Sequence, residues 1–449
     1  MILWIGLLAI ALAASWFAAW LARVAEVGSG YKARALASVL FGAGRKVDPN
    51  RAEEVSADSY WPMRLFRANV DPARRSVTVS LFGLRPRTAL NDSLTGTVLL
   101  GSDNRVPEAI ALERYSSPFV EQSIHPWQTR SSAAVQAVVD AAFQEPNPKR
   151  LRRTRAIVVV HDGELVCERY APGFDEDTSF PGWSMTKSVL GALVGVLVGE
   201  GRLALDQREL LPAWRLPDAR GAITLEDLLR MRSGLSFTEV YEDLSSDVVE
   251  MLFVQPDAAS YAATRPLKHL PGTVWDYSSG TTNIISGIVR HVLGEAEYAR
   301  LPRRALFGPL GMTSAILERD AAGTYVGSSF MMATARDWAR FGQLYLDDGV
   351  WRSRRILPQG WVEFSRTTTP QSTDGIYGAH WWLGLKPELG GGGGEAARLP
   401  PDAFFAVGHE GQVLTVIPSR RLVVVRLGLS IYIDAWDHVA FLNALLDAL

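Results

Sequence analysis

The sequence predicts an α+β fold: an antiparallel sheet flanked by helices, an all-helical lobe beside it, and an apolar helix at the N-terminus. Three observations predict it. Short β-branched apolar runs occur in two separate places, residues 156–170 and 403–427. A long stretch of helix patterns and turns lies between them. Residues 1–22 carry no charge at all. Strands near both ends close most simply into one antiparallel sheet, which leaves the middle as a second lobe.

Taken in order, residues 1–22 come first. About 20 apolar residues cross a bilayer as a helix. A cleaved signal peptide would need a charged leading region, which is missing, and a small-x-small cleavage site after the span, where no convincing one follows. The expectation is a transmembrane anchor or uncleaved signal, with the membrane as partner. Arg23, Lys32, Arg34, Arg45 and Lys46 follow the span. By the positive-inside tendency they would hold the rest in the cytoplasm. The chemistry argued below suits the periplasmic side of an inner membrane instead, so orientation stays open.

Residues 23–125 read as an N-terminal extension, with strands expected at Val77–Phe82 and Thr95–Leu100. A hydrolytic domain is expected over 126–449. It begins with an amphipathic helix over Ser131–Phe143, stopped by Glu145-Pro-Asn-Pro148. Ala156–Val160 and Glu164–Tyr170 flank Asp162-Gly163, a hairpin signature. Helices are expected over Ser188–Glu200, Leu225–Met231, Asn283–Leu293 and Thr334–Leu346. Gly390–Gly394 reads as a flexible loop. Strands return at Ala403–Val407, Val413–Ile417 and Leu422–Leu427, followed by a helix from about Ala435 to Leu446.

Composition excludes some classes. The chain has 449 residues, a formal net charge of −2 and one cysteine. That balance leaves no electrostatic footprint for nucleic acid. The basic run Lys149–Arg155 reads as a solvated connection. Cys167 sits in a strand-like alternation and reads as a core residue, so neither an internal disulfide nor a cysteine metal cluster is available. No Gly-x-Ser-x-Gly, GxxxxGK[ST] or GxGxxG pattern occurs.

The chemistry-bearing pattern is Ser184-Met-Thr-Lys187. Positions i and i+3 of a helix share a face, so the lysine can reach the serine hydroxyl and take its proton. The spacing is weak evidence alone, because Ser29-Gly-Tyr-Lys32 has it too. Ser184, however, opens a helix apolar on nearly every side, the mark of a buried core helix. As an alternative, Ser184 is only that helix's N-cap. Tyr277, in the turn-rich loop Pro271–Gly280, is a candidate proton carrier; a phenol near an ammonium is expected to have its pKa lowered. It reads equally as a tyrosine packed in a turn. Gly408-His-Glu-Gly-Gln412 lies between two apolar strands, where glycines let backbone approach a ligand. His409 there is a candidate contact for substrate, or a structural histidine at a strand end.

The catalytic part resembles the class C β-lactamase-related serine hydrolases. That superfamily includes penicillin-recognising enzymes, family VIII esterases, D-aminopeptidases and 6-aminohexanoate-dimer hydrolase. The resemblance covers about residues 130–445. It rests on Ser184–Lys187, Leu228–Leu235, Pro271–Ser279, Phe307–Met312, Ala335–Gly342 and Gly408–Gln412. The region from Tyr31 to Leu100 also resembles the extension of a membrane-linked subgroup.

The resemblance implies a β-lactamase/DD-peptidase-like fold and an acyl-enzyme with no metal or cofactor. Ser184 would be the nucleophile, Lys187 its base and Tyr277 the proton relay. The backbone N–H groups of Ser184 and Gln412 would form the oxyanion hole. Trp183, Ser279, His409 and Gly411 would contact the substrate, with Tyr241, Trp275 and Trp381–Trp382 shaping the pocket. Two departures narrow it. The lactamases carry Tyr-x-Asn where this chain has Tyr277-x-Ser279, and Lys-Thr-Gly where it has His409-Glu-Gly411. Both steer the expectation to a small amide or ester in the esterase and dimer-hydrolase branch. The rivals are a β-lactamase or DD-peptidase, and a non-catalytic binding or sensor protein on the same fold.

Overall fold

The computed structural model describes residues 2–101, 127–215, 217–387 and 399–449. Its first helix, α1 (Ile2–Ala37), runs unbroken well past the uncharged segment. Its first half is exposed apolar surface, from Trp4 to Trp20. From Leu21 onward it sinks into the body, and Ala25, Ala33, Leu36 and Ala37 are buried. The helix is long and apolar enough to cross a membrane by length and composition. Of the cations that follow the uncharged segment, Arg23 pairs with Glu250, Arg34 with Glu318 and Arg45 with Glu54. Lys32 donates to the carbonyls of Met63 and Phe66, both at 2.8 Å.

Four antiparallel strands pack on α1: β1 (Phe66–Asp71), β2 (Ser76–Leu81), β3 (Leu84–Asp92) and β4 (Gly96–Leu99), in that order across the sheet. Alternate residues Val77, Val79, Leu81 and Ala89 face the helix and share a core with Phe66. The expected strands at 77–82 and 95–100 are thus two of four. The boundary expected at 125/126 and the glycine run at 390–394 lie outside the described residues.

The main sheet joins both ends of the remaining chain. β5 (Thr154–His161) and β6 (Glu164–Tyr170) form the expected hairpin, with Asp162 and Gly163 both at positive φ. A small sheet adds β7 (Ser179–Pro181), β8 (Ile316–Leu317) and β9 (Met331–Thr334). A minor hairpin adds β10 (Val350–Trp351) and β11 (Arg354–Arg355). The late strands β12 (Phe404–Gly408), β13 (Gln412–Ile417) and β14 (Leu422–Gly428) then complete a five-stranded sheet in the order β12-β13-β14-β5-β6.

Both faces of this sheet are covered, which explains why its strands read as continuous apolar runs. Ile157, Val159, Leu422 and Val424 face α2 (Ala133–Ala141) and the C-terminal helix His438–Ala448. Val158, Val160, Val423 and Val425 face the opposite core. That core holds α3 (Thr186–Gly199) and continues into the helical lobe: α4 (Leu225–Leu229), α5 (Asp247–Phe253), α6 (Ala258–Ala263), α7 (Ser279–Leu293), α8 (Glu295–Pro302) and α9 (Gly308–Leu310). The sheet's inner face is closed by α10 (Ala335–Leu346), capped by the Thr334 side chain, with α11 (Trp361–Arg366) beyond it.

The basic run divides: Lys149 and Arg150 are exposed, as a solvated connection would be, while Arg153 and Arg155 turn into the molecule. Arg153 pairs with Asp58, and Arg155 reaches Glu54 at 2.7 Å. These bonds fasten the N-terminal unit to the hydrolytic body. Cys167 is buried against Gln136, and burial pushes its thiol up to about 11.

Candidate active site

The position of Ser184 begins with a strained residue. Trp183 has φ +48°, a region that bulky side chains rarely occupy. Such strain persists where surrounding structure over-determines it. Here Trp183 follows Gly182, whose carbonyl lies against Gly408 of β12: a Cβ on Gly408 would meet it at 2.3 Å. Only glycine lets the strand edge approach so closely. A short 3-10 turn, Trp183–Met185, then runs straight into α3, so Ser184 and Lys187 stand on successive turns of one helical path.

Lys187 Nζ makes three contacts: Ser184 Oγ at 2.9 Å, Ser279 Oγ at 3.0 Å and the Ser328 carbonyl at 3.0 Å. The Ser279 hydroxyl itself donates to Glu239 Oε1 at 2.5 Å, so it can only accept from the lysine. The Ser328 carbonyl can only accept. A neutral amine has two N–H groups and one lone pair. As an ammonium the lysine donates to all three oxygens; once neutral, those two acceptors take its two N–H groups and its lone pair is left for Ser184. Asn283 holds Ser328 in place by accepting from its N–H at 3.2 Å and donating to its hydroxyl at 3.1 Å.

Electrostatics support the same division. Burial pushes the Lys187 ammonium down to about 8, while the Glu239 carboxylate pulls the other way. Glu239 is itself raised by burial and lowered by Lys187. Tyr277 differs from the sequence expectation. Its phenol is raised, because burial and the Glu239 charge outweigh the contact with Ser184. Lys187 Nζ lies over the Tyr277 ring, 4.8 Å from the centroid, rather than beside its hydroxyl. The two shifts thus run in opposite directions, the phenol upward and the lysine down to about 8.

The other expected residues fall as follows. Gln412 opens β13 opposite Gly408, and its side chain ties Gly428 from both ends, at 2.7 and 2.9 Å. Its backbone therefore sits on the strand edge that abuts Gly182 and Trp183. His409 is sandwiched: it stacks on Tyr241 with ring centroids 5.5 Å apart and meets Trp183 edge-on at 5.3 Å. Gly411 has φ +80° and closes the turn. Ser279, expected at the substrate, is fully buried with its hydroxyl committed to Lys187 and Glu239. It belongs beneath the dyad. Trp381, expected in the pocket, is instead a core residue stacked on Phe341. Tyr377 takes its place, meeting Tyr277, Trp275 and Trp382 in one aromatic wall. The decoy pair Ser29 and Lys32 is buried in α1, with the lysine bound to carbonyls.

Two residues were invisible to sequence reasoning. Glu239 lies in an irregular segment with Glu242 and Asp243 close behind it, and no spacing marks it out from them. Tyr60 belongs to the N-terminal unit, on a 3-10 segment, Asp58–Leu65. Its hydroxyl reaches Glu410 Oε1 at 3.0 Å and His409 Nε2 at 3.1 Å. Trp183 Nε1 donates to the other Glu410 oxygen at 3.1 Å. The N-terminal unit thus forms one side of the site.

Comparison with known proteins fits this geometry. A family model described as Beta-lactamase matches residues 139–428, a span that includes Ser184, Lys187, Tyr277 and Gln412 but not Tyr60. The chain is 27% identical over 299 residues to the 6-aminohexanoate-dimer hydrolase of Paenarthrobacter ureafaciens, covering 61% of this chain and 72% of that one. It is 31% identical over 202 residues to esterase EstB of Burkholderia gladioli, covering 40% of this chain and 50% of that protein. Among solved structures, a family VIII carboxylesterase aligns with a TM-score of 0.54 at 16% identity, over 72% of this chain and 99% of that chain. At that identity the likeness is one of fold.

Proposed function

The chain belongs to the Beta-lactamase family, and we propose that it is a serine hydrolase that cleaves a small amide or ester through an acyl-enzyme on Ser184. The observation that carries this reading is the three-way seating of Lys187, whose Nζ lies 2.9 Å from Ser184 Oγ with its two other partners both acceptors, so that the neutral amine would turn its lone pair to Ser184. Ser184 Oγ attacks the carbonyl carbon and its proton passes to the neutral Lys187. The oxyanion is held by the backbone N–H groups of Ser184 and Gln412. The Tyr277 hydroxyl gives its proton to the departing nitrogen or oxygen, and the phenol is restored by the Lys187 proton passed through an intervening water, since the ammonium lies over the ring and not beside the hydroxyl. Water then attacks the ester on Ser184, losing a proton to Lys187, and Ser184 leaves with that proton.

The names of the sequence relatives, a dimer hydrolase and an esterase, support an amide or ester as substrate. The exposed first half of α1 supports a membrane anchor, the second part of the proposal.

The test is labelling by a fluorophosphonate probe together with turnover of an activated ester. Both are expected in the wild type and absent in Ser184→Ala. Normal hydrolysis by Ser184→Ala would overturn the assignment.

A further inference from the structure

A second surface of this protein has the composition of a lipid contact. The β2–β3 hairpin turns at Phe82-Gly83, with φ +50° and +82°. Two-residue turns of that kind prefer asparagine or aspartate first, and a bulky aromatic there is a conformational outlier. Yet Phe82 is 75% exposed, so no packing inside the protein accounts for it. Leu84 and Leu65 are exposed beside it, at 44% and 52%. Leu65 lies one step beyond the Phe66–Leu81 ladder pair, so the two chain segments end together. Arg64, Arg67 and Arg85 are exposed on the same segments.

The position of this tip follows from the register against α1. Thr97, whose ladder partner is Asn91, bonds Ser38 at 3.0 Å. Leu99, the partner of Ala89, lies 3.3 Å from a Cβ built on Gly30. Arg87 feels the charge of Glu26. Descending β3 therefore descends α1. A strand advances about 3.3 Å per residue and a helix about 1.5 Å, so three more strand residues match about six or seven helix residues. Leu84 then falls near residue 20 on this count, while Phe66, on the same ladder line through Leu81, lies against Gly28 and accepts from Lys32 at 2.8 Å, so the tip stands between these two levels. The lower of them is where α1 leaves the body and its apolar surface becomes exposed, with Trp16, Phe17 and Trp20 at its end.

We propose that the Phe82–Arg85 hairpin tip, with Leu65 and its neighbouring arginines, inserts into the interfacial layer of a bilayer carrying anionic headgroups. The proposal rests on the reading of α1 as a membrane anchor. The apolar side chains sit at the depth where aromatic residues mark the membrane–water boundary. The arginines meet lipid phosphates, each adding attraction near an anionic surface. α1 and the tip then fix the orientation of the body by two separated contacts.

The test uses the full chain with Cys167→Ala, reconstituted in phosphatidylcholine–phosphatidylglycerol vesicles at low protein density. Single nitroxide labels are placed by Leu12→Cys, Phe82→Cys and Leu94→Cys, the last on the exposed turn at the far end of β3. Oxygen against nickel-complex accessibility reports depth. The expected result is a ratio at position 82 above that at 94 by about threefold or more, approaching the value at 12. Equal ratios at 82 and 94 would overturn the proposal, and a lipid-like value at 12 would then leave the anchor standing. A water-like value at 12 would overturn the anchor itself. Dipolar broadening between labels at 82 would assign the tip to a second copy of the chain and overturn the lipid contact.

Discussion

The Tyr60 hydroxyl bonds the Glu410 carboxylate at 3.0 Å, although the two residues stand 350 positions apart. Glu410 is buried, which raises its carboxyl, and it sits at φ +62° in the turn that leads into Gln412. Tyr60 therefore secures the turn that leads into Gln412, the proposed oxyanion donor. Tyr60→Phe leaves a buried carboxylate with one donor fewer. The expected outcome is a stability loss of about 1–2 kcal/mol and a kcat about tenfold lower with KM little changed. Thermal denaturation and steady-state kinetics with an activated ester check it, and an unchanged kcat would confine Tyr60 to a structural role.

The pH profile should follow Lys187. The base works only when neutral, and burial sets its pKa near 8. The value of kcat/KM should therefore climb with pH through a midpoint of about 8. Stability carries the same sign. The folded state binds this proton less tightly than the unfolded chain, so the Lys187 contribution improves as pH rises from about 8 towards the ordinary lysine value of 10.5.

Glu239→Gln separates charge from geometry at the same place. The carboxylate raises the lysine's pKa. Removing the charge should move the kcat/KM midpoint to lower pH. Gln keeps an acceptor for Ser279, so activity above the midpoint should fall by less than about tenfold. Glu239→Ala lets Ser279 and the amine drift, and a loss of about 10²-fold is expected. A midpoint that stays in place in Glu239→Gln would show that the carboxylate does not act on Lys187.

Gly408→Ala tests the strand edge. The added Cβ would sit 2.3 Å from the Gly182 carbonyl, so β12 must move away from Ser184. The expected result is acylation slower by about 10²-fold, read as loss of the burst with an activated ester, since a displaced oxyanion donor costs about that much. A burst of normal rate would place the oxyanion elsewhere.

Much of this fold was legible because its signals are local. The Asp162-Gly163 turn, the apolar runs of β5 and β12 to β14, and the Ser184–Lys187 spacing each need only a few neighbouring residues. Tyr277 was legible as a member of the site, but its pKa direction was not, because that depends on Glu239 and on burial. The seat of Ser279 beside Lys187 was illegible for the same reason: the hydroxyl's two partners, Lys187 and Glu239, come from distant segments. Tyr60 left no trace, since its role exists only through docking of the N-terminal unit. Trp381 and Trp382 are adjacent in sequence yet divide between core and pocket, a choice made by the bridge between Trp382 and Phe405.

The unbroken course of α1 has a consequence for encounter with substrate. From Leu21, where the helix leaves the body, to Tyr31 is about 15 Å of rigid rod. The Tyr31 ring packs on Tyr60 with centroids 5.6 Å apart, and Tyr60 touches His409 beside the nucleophile. An active site carried on so short and stiff a mast has a fixed height above its mooring. Where α1 is the anchor proposed above, substrates dissolved in the same bilayer would meet the site by a two-dimensional search at that fixed height.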